Sequence, residues 1–217
     1  MSFADLGEAP FRQLGERARF DGGFFQVVTA TFVGPDGFTF EREVIRHPGA
    51  VCVVALEDDR RSVLMIRQYR GAVDAALLEL PAGKRDVPEE DPAVCAEREL
   101  AEEIGRVAGS MTEVARFYNS PGISDEATIC YLAEGLREVP RQAHGVEEEH
   151  LVVERVSLGD LEDLMASGDL VDAKSIIGLL AVRAAIGWIA HPLPAAGERP
   201  PDLGISPAAE AVAGGGQ

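Results

Sequence analysis

The sequence predicts an α+β fold: a mixed β-sheet sandwiched between α-helices (α/β/α), preceded by an N-terminal β-hairpin region. Three observations carry this. The order of elements is strands, one helix, strands, then helices, without the alternation of a doubly wound fold. Residues 51–56 form a continuous apolar run, the pattern of a central strand. One helix with clear start and stop signals stands in the middle of the chain.

Residues 24–33 are rich in Val, Thr and Phe and read as a strand. Gly34-Pro35-Asp36-Gly37 is a turn, and 38–46 returns as the second strand of a hairpin. The polar turn Glu57-Asp58-Asp59-Arg60 separates the central strand from a strand at 62–67, and 77–80 is a short strand ending at Pro81. The helix spans 92–104: Asp91 suits the N-cap, Pro92 the first helical position, and Gly105 the stop. Strands at 114–118 and 128–133 flank the loop from Asn119 to Glu126. The acidic segment Glu147-Glu148-Glu149 precedes a strand at 151–156, and helices follow at 158–166 and 173–189. From 191 to 217 the Pro-, Ala- and Gly-rich chain has little to bury and is expected to be a disordered tail.

Length and composition set the class. The 217 residues suit one globular domain with appendages, and 46% of them are hydrophobic, enough for a sizeable core. No run of about 18 apolar residues suggests a transmembrane helix, and residues 1–13 lack the pattern of a secretory signal. Cys52, Cys95 and Cys130 are an odd, sparse set, expected as buried free thiols in a reducing cytoplasm. A formal charge of −17 argues against nucleic acid as a partner. It also opposes any anionic substrate unless bound divalent cations reverse the local sign.

The stretch from Arg98 to Gly105 carries the chemistry. At ~100° per residue, Glu99, Glu102 and Glu103 fall within one arc about 100° wide. Ala93, Ala96, Leu100 and Ile104 fall on the neighbouring arc and should face the core. Three carboxylates on one rigid face suit a hard cation such as Mg²⁺ or Mn²⁺. A solvated acidic face, salt-bridged through Arg98 and Arg106, is the competing reading of the same spacing.

The flanking residues resemble the Nudix hydrolase family. Its box reads Gly, five residues, Glu, seven residues, Arg-Glu, an aliphatic, any residue, Glu-Glu, any residue, Gly, aliphatic. This chain has Gly83, six residues, Glu90, seven residues, then Arg98-Glu99-Leu100-Ala101-Glu102-Glu103-Ile104-Gly105. The loop is one residue longer and Arg106 replaces the last aliphatic, and neither change moves the helical face. The resemblance extends over roughly residues 24–189. Arg67-Gln68-Tyr69-Arg70, Leu78 to Gly83, Ser120-Pro121-Gly122 and Asp172-Ala173-Lys174-Ser175 are similar to the ADP-ribose pyrophosphatase branch, whose marker is a proline sixteen residues beyond the box glycine, here Pro121.

The resemblance implies a Nudix fold, with hydrolysis of the pyrophosphate bond of ADP-ribose to AMP and ribose 5-phosphate. It implies two or three Mg²⁺ ions (Mn²⁺ as a substitute) held by the carbonyl of Ala82 and by Glu99, Glu102 and Glu103. Glu147 matches the position that activates the attacking water, with Glu149 second and Glu102 as the box residue that could take the role. Arg70 matches a phosphate contact, Phe24 and Arg42 match residues gripping the adenine end, and Glu79 would touch the nucleobase or ribose. An N-terminal region at 1–46 exchanged between two subunits implies a homodimer, with the hydrolase domain at 47–190. Two other readings stay open at this point: a different sugar nucleotide, of the GDP-mannose or UDP-glucose type, or a non-catalytic Nudix-like nucleotide sensor.

Overall fold

The computed structural model describes residues 9–142 and 149–187. Three strands come first: β1 (Arg12–Gly22), β2 (Phe25–Val33) and β3 (Thr39–Arg46). Six more precede or follow the central helix: β4 (Ala50–Leu56), β5 (Ser62–Arg70), β6 (Ala75–Glu79), β7 (Ala82–Lys84), then α1 (Pro92–Ile104), β8 (Arg106–Val107) and β9 (Ser110–Tyr118). The remainder is β10 (Ala127–Glu134), β11 (Arg137–Glu138), β12 (Val152–Ser157), a 3-10 turn at Leu158–Asp160, α2 (Leu161–Ser167) and α3 (Ala173–Ala185).

The main sheet has seven strands. Its path is β12-β5-β4-β10-β9, with β6 alongside β5 and β7 alongside β4. The β4–β10 pair is parallel and its neighbours antiparallel, so the sheet is mixed. β4 is apolar throughout because both of its faces are covered. Val51, Val53 and Ala55 join Cys95, Ala96, Leu100 and Ile104 of α1 in one core layer. Cys52, Val54 and Leu56 join Leu179 and Val182 of α3 in the other. The expected sandwich of a mixed sheet between helices is therefore the observed one.

The expected two-stranded N-terminal hairpin is instead a three-stranded antiparallel sheet, ordered β1-β2-β3. β1 escapes detection because nearly every residue in it is exposed, so burial imposes no alternation on its sequence. The end of β3 fastens this sheet to the body. Ile45 N–H donates to the Ile123 carbonyl at 2.8 Å, and Asp125 N–H donates to the Ile45 carbonyl. Arg46 pairs with Asp125 at 3.0 Å and with Glu16 of β1 at 2.6 Å. The short β8–β11 pair was also not foreseen, and the helix expected at 158–166 begins as a 3-10 turn. The tail expected at 191–217 lies outside the described residues. No helix among the described residues is long and apolar enough to cross a membrane.

α3 sits unusually close to the sheet at Gly178. A Cβ there would lie 2.7 Å from Leu80 Cδ1, 2.8 Å from Cys130 Sγ and 3.3 Å from Val54 Cγ2. Gly178→Val therefore overpacks the α3 layer and should lower stability by about 1–3 kcal/mol. A urea titration reads this directly, and an unchanged midpoint would mean that α3 does not approach the strands this closely.

Candidate active site

α1 is built to hold its acidic face still. The Asp91 side chain accepts from Ala93 N–H at 2.8 Å, Pro92 starts the helix, and Gly105 closes it in the left-handed conformation at φ 63°. The solvated-face reading fails on burial: Glu99 is 8% exposed and Glu103 3%. Two like charges one turn apart are thus enclosed, an arrangement that needs specific partners. Glu103 Oε2 accepts from Ala82 N–H at 2.8 Å. Gly83 leaves the room in which the Glu99 carboxylate lies, since a Cβ at that position would fall 1.9 Å from Glu99 Cδ.

Arg98 gathers the rest. It donates from Nη1 to Glu99 at 2.8 Å and to Glu102 at 3.0 Å, and from Nε and Nη2 to both oxygens of Glu90 at 3.2 and 3.3 Å. The hydrogen bond from Arg98 holds the Glu90 carboxyl below its ordinary range, and Glu90 in turn holds the guanidinium firmly charged. Glu90 is thereby bound to the box helix through Arg98. Cys95 lies beneath this group, and burial together with Glu90 pushes its thiol up to about 12, so it stays protonated.

Four carboxylates and the Ala82 backbone in one seam form an all-oxygen donor set, which fits a hard divalent cation. Among the described residues, no three acidic, His or Cys side chains already converge on a single point. Arg98 draws Glu99 and Glu102 toward itself while Glu103 turns to Ala82, so loading a cation means re-aiming these side chains.

A second cluster faces the first. Arg70 donates from Nε and Nη2 to the two oxygens of Glu79 at 2.8 and 2.7 Å. Lys174 at the start of α3 also bonds Glu79, and pairs with Asp172 at 2.9 Å. Asp172 caps α3 through Ser175 N–H at 3.0 Å, and Ser175 Oγ accepts from Leu80 N–H at 2.7 Å. Glu79 is 1% exposed, and Arg70 and Lys174 engage its carboxylate oxygens. The Arg70 side chain is 39% exposed. The bond to Glu79, with the negative charge of Glu103 adding to it, holds the Arg70 guanidinium more firmly charged than usual.

The other expected site residues are more scattered. Phe24 is exposed in the β1–β2 turn, with Lys84 Nζ 4.4 Å from its ring centroid and His47 edge-on at 5.5 Å. The ring thus lies against Lys84 of the box strand β7. Arg42 lies exposed on β3, over Phe40 at 4.8 Å and donating to the Glu41 carbonyl, and bonds nothing at the box. Pro121 is exposed in a loop pinned to β3 through Ile123 and Asp125. Glu149 is exposed, and Glu147 and Glu148 lie outside the described residues. Reading the sequence had given no role to Lys174 or His47. Lys174 bonds a residue 95 positions away, a pairing that spacing cannot disclose.

The Nudix domain model matches residues 46–176, more than half of the chain. The chain belongs to the Nudix family. An ADP-ribose pyrophosphatase of Mycobacterium tuberculosis (strain ATCC 25618 / H37Rv) is 35% identical over 189 residues, covering 87% of this chain and 91% of that protein. An ADP-ribose pyrophosphatase of Bacillus subtilis (strain 168) is 38% identical over 141 residues, covering 65% and 75%. The crystal structure of an ADP compounds hydrolase has the same fold, with a TM-score of 0.70 at 24% identity over 83% of this chain and 96% of that one. This Nudix hydrolase carries every glutamate of the box, with Glu99, Glu102 and Glu103 on α1 and Glu90 in the turn before it.

The Glu79 pair makes a pH prediction for the Nudix chain. Burial pushes Glu79 up, but the bond from Arg70 and the charge of Lys174 outweigh it, and the carboxyl sits below its ordinary 4.5. A folded value below the unfolded one contributes stability above the unfolded value, and that stability is lost as pH falls through the folded value. Unfolding free energy should therefore drop on acidification below 4.5, and less steeply in Glu79→Gln. Urea titrations at neutral and acidic pH check it, and identical acid slopes in the two proteins would contradict a buried ionised Glu79.

Proposed function

We propose that this Nudix hydrolase cleaves the pyrophosphate bond of ADP-ribose to AMP and ribose 5-phosphate, using Mg²⁺, with Mn²⁺ as a substitute, in two or three sites. The observation that supports it best is the enclosed pair Glu99 and Glu103 beside Ala82, with Arg70 aimed from a buried ion pair at the same seam. The likeness to two ADP-ribose pyrophosphatases supports this substrate. Nudix hydrolases use divalent metals, and here Glu99, Glu102, Glu103 and the Ala82 carbonyl would hold them. The chemistry that a bound divalent cation supplies is Lewis-acid polarisation of the phosphate oxygens.

The chain's own groups do the rest. Arg70 binds a phosphate oxygen, and Glu79 with Lys174 fixes its direction. Arg98 steers Glu99 and Glu102. Phe24 offers a ring for the adenine to stack on, and Pro121 shapes the adjoining wall. Glu147 takes the proton from the attacking water, with Glu149 and Glu102 as the next in line. A loop carboxylate remains basic where a metal-bound one does not, and general-base catalysis contributes typically about 10²–10⁴-fold. We place the enzyme in the cytoplasm, where its three buried free thiols stay reduced.

A screen of ADP-ribose, GDP-mannose and UDP-glucose with Mg²⁺, scored by nucleoside monophosphate release, tests the substrate. ADP-ribose should give the highest kcat/KM, and preference for either of the others would overturn the assignment. Glu103→Gln and Glu147→Gln should each lower kcat by about 10²-fold or more, the first with weakened metal affinity and the second without. Full activity in either folded variant removes that residue from its role.

We further propose a homodimer formed through the N-terminal sheet, where Phe11, Leu14, Phe20 and Phe38 are 52%, 47%, 55% and 70% exposed. Phe24 and Arg42 both serve the partner's adenine end. Light scattering at micromolar concentration should give twice the chain mass. Mixing Arg42→Ala with Glu103→Gln subunits should restore activity that neither has alone. A fully active monomer, or no recovery on mixing, would exclude the shared site.

A further inference from the structure

Leu80 and Pro81 lie between β6 and β7, where the chain leaves the β5 ladder and joins the β4 ladder. β4 and β5 pair with each other at Ala55 and Leu56, and beyond that point each takes a different partner. Both crossing residues are buried, so their backbone polar groups need partners that neither ladder supplies. Pro81 has no N–H to satisfy, and its carbonyl accepts from Val53 N–H at 2.9 Å. Leu80 N–H donates to Ser175 Oγ at 2.7 Å.

Ser175 is fully buried in the first turn of α3. Its hydroxyl donates to Asp172 Oδ2 at 2.5 Å. A hydroxyl has one proton, so giving it to a carboxylate leaves its lone pairs for Leu80 N–H. Asp172 thereby fixes the hydroxyl as an acceptor. The cap of α3 does not require this hydroxyl, because Asp172 caps through the backbone N–H of Ser175 at 3.0 Å, which any residue but proline would offer. The side chain of Ser175 is therefore committed to the crossing and not to the helix end.

What lies just past the crossing gives that commitment a purpose. Ala82 follows Pro81, and its N–H donates to Glu103 Oε2 at 2.8 Å. The proline ring locks its φ near about −65°, so the crossing is a stiff link between Leu80 and Ala82. We infer that Ser175, aimed by Asp172, is a positioning residue for the divalent cation: through Leu80 and Pro81 it holds the Ala82 carbonyl, and the N–H that aims Glu103, in register with α1. Ser175 itself touches neither cation nor substrate. This rests on the reading that Ala82 and Glu103 are among the cation's donors.

The test is Mn²⁺ binding to the full chain without substrate, read from the electron paramagnetic resonance signal of the free ion. Ser175→Ala removes the acceptor, and Ser175→Cys nearly keeps the volume while offering only a weak one. Val182→Ala is the control: it truncates a fully buried side chain of the same helix and leaves the bond to Leu80 N–H in place. Both Ser175 variants should weaken the tightest Mn²⁺ site by about tenfold or more, the scale on which loss of a residue that orients a ligand is felt by the metal. Val182→Ala should bind Mn²⁺ as wild type does, despite a lowered thermal midpoint. Wild-type affinity in both Ser175 variants would overturn the proposal. An equal loss in Val182→Ala would do so too, by assigning the effect to the packing of α3. If Glu103→Gln bound Mn²⁺ as tightly as wild type, the donor assignment would fall, and this inference with it. A weakened Glu103→Gln beside unchanged Ser175 variants would sink the inference alone.

Discussion

Enclosing two like charges one helical turn apart is the constraint around which this molecule is arranged. Glu99 and Glu103 are both nearly buried, and neither could stay ionised there without directed partners. Each neighbouring feature meets part of that demand. The Ala82 N–H is turned to Glu103, Gly83 leaves room for the Glu99 carboxylate, and Arg98 spans Glu99, Glu102 and Glu90. The capped ends of α1 keep the helix in register with β7, so the carboxylates meet the box strand at fixed height. A cation entering this seam exchanges one set of compensating charges for another and does not meet bare acid.

The two helical layers reach the same place by different routes. α1 brings the carboxylates from one side of the sheet. α3 brings Lys174 and Ser175 from the other, and both bond the strand segment at Glu79 and Leu80 that leads into Ala82. The close approach at Gly178 and the cap at Asp172 thus serve more than packing. They set the height of α3 against β6, and through Glu79 they set the direction of Arg70. A fault in the α3 layer is therefore passed to Arg70 through Lys174 and Glu79.

Much of this was legible in the chain. The bounds of α1 were written in Asp91, Pro92 and Gly105, because caps act through local backbone groups that sequence displays. The core of β4 was equally plain, since covering both faces leaves no polar position. Other features depend on pairings between distant residues. β1 is exposed along nearly its whole length and so carries no burial pattern. The partners of Glu79 come from β5 and α3 and enclose it, and nothing near it in the chain announces them. Spacing placed Glu99 and Glu103 on one arc, yet it could not say whether that arc faced water, and only the position of β7 decides it.

The N-terminal sheet joins the body through Ile45, Arg46 and the loop from Ile123 to Asp125, and Arg46 also reaches back to Glu16 on β1. That junction behaves as a lever with a short arm. Tilting the three-stranded sheet shifts the Pro121 loop with it, because the backbone bonds on either side of Ile45 leave no slack between them. The aromatic ring at Phe24 hangs from the same sheet. The Phe24 turn and the Pro121 loop are thus tied to one another through the sheet, so a change of tilt in the exposed strands would move both at once.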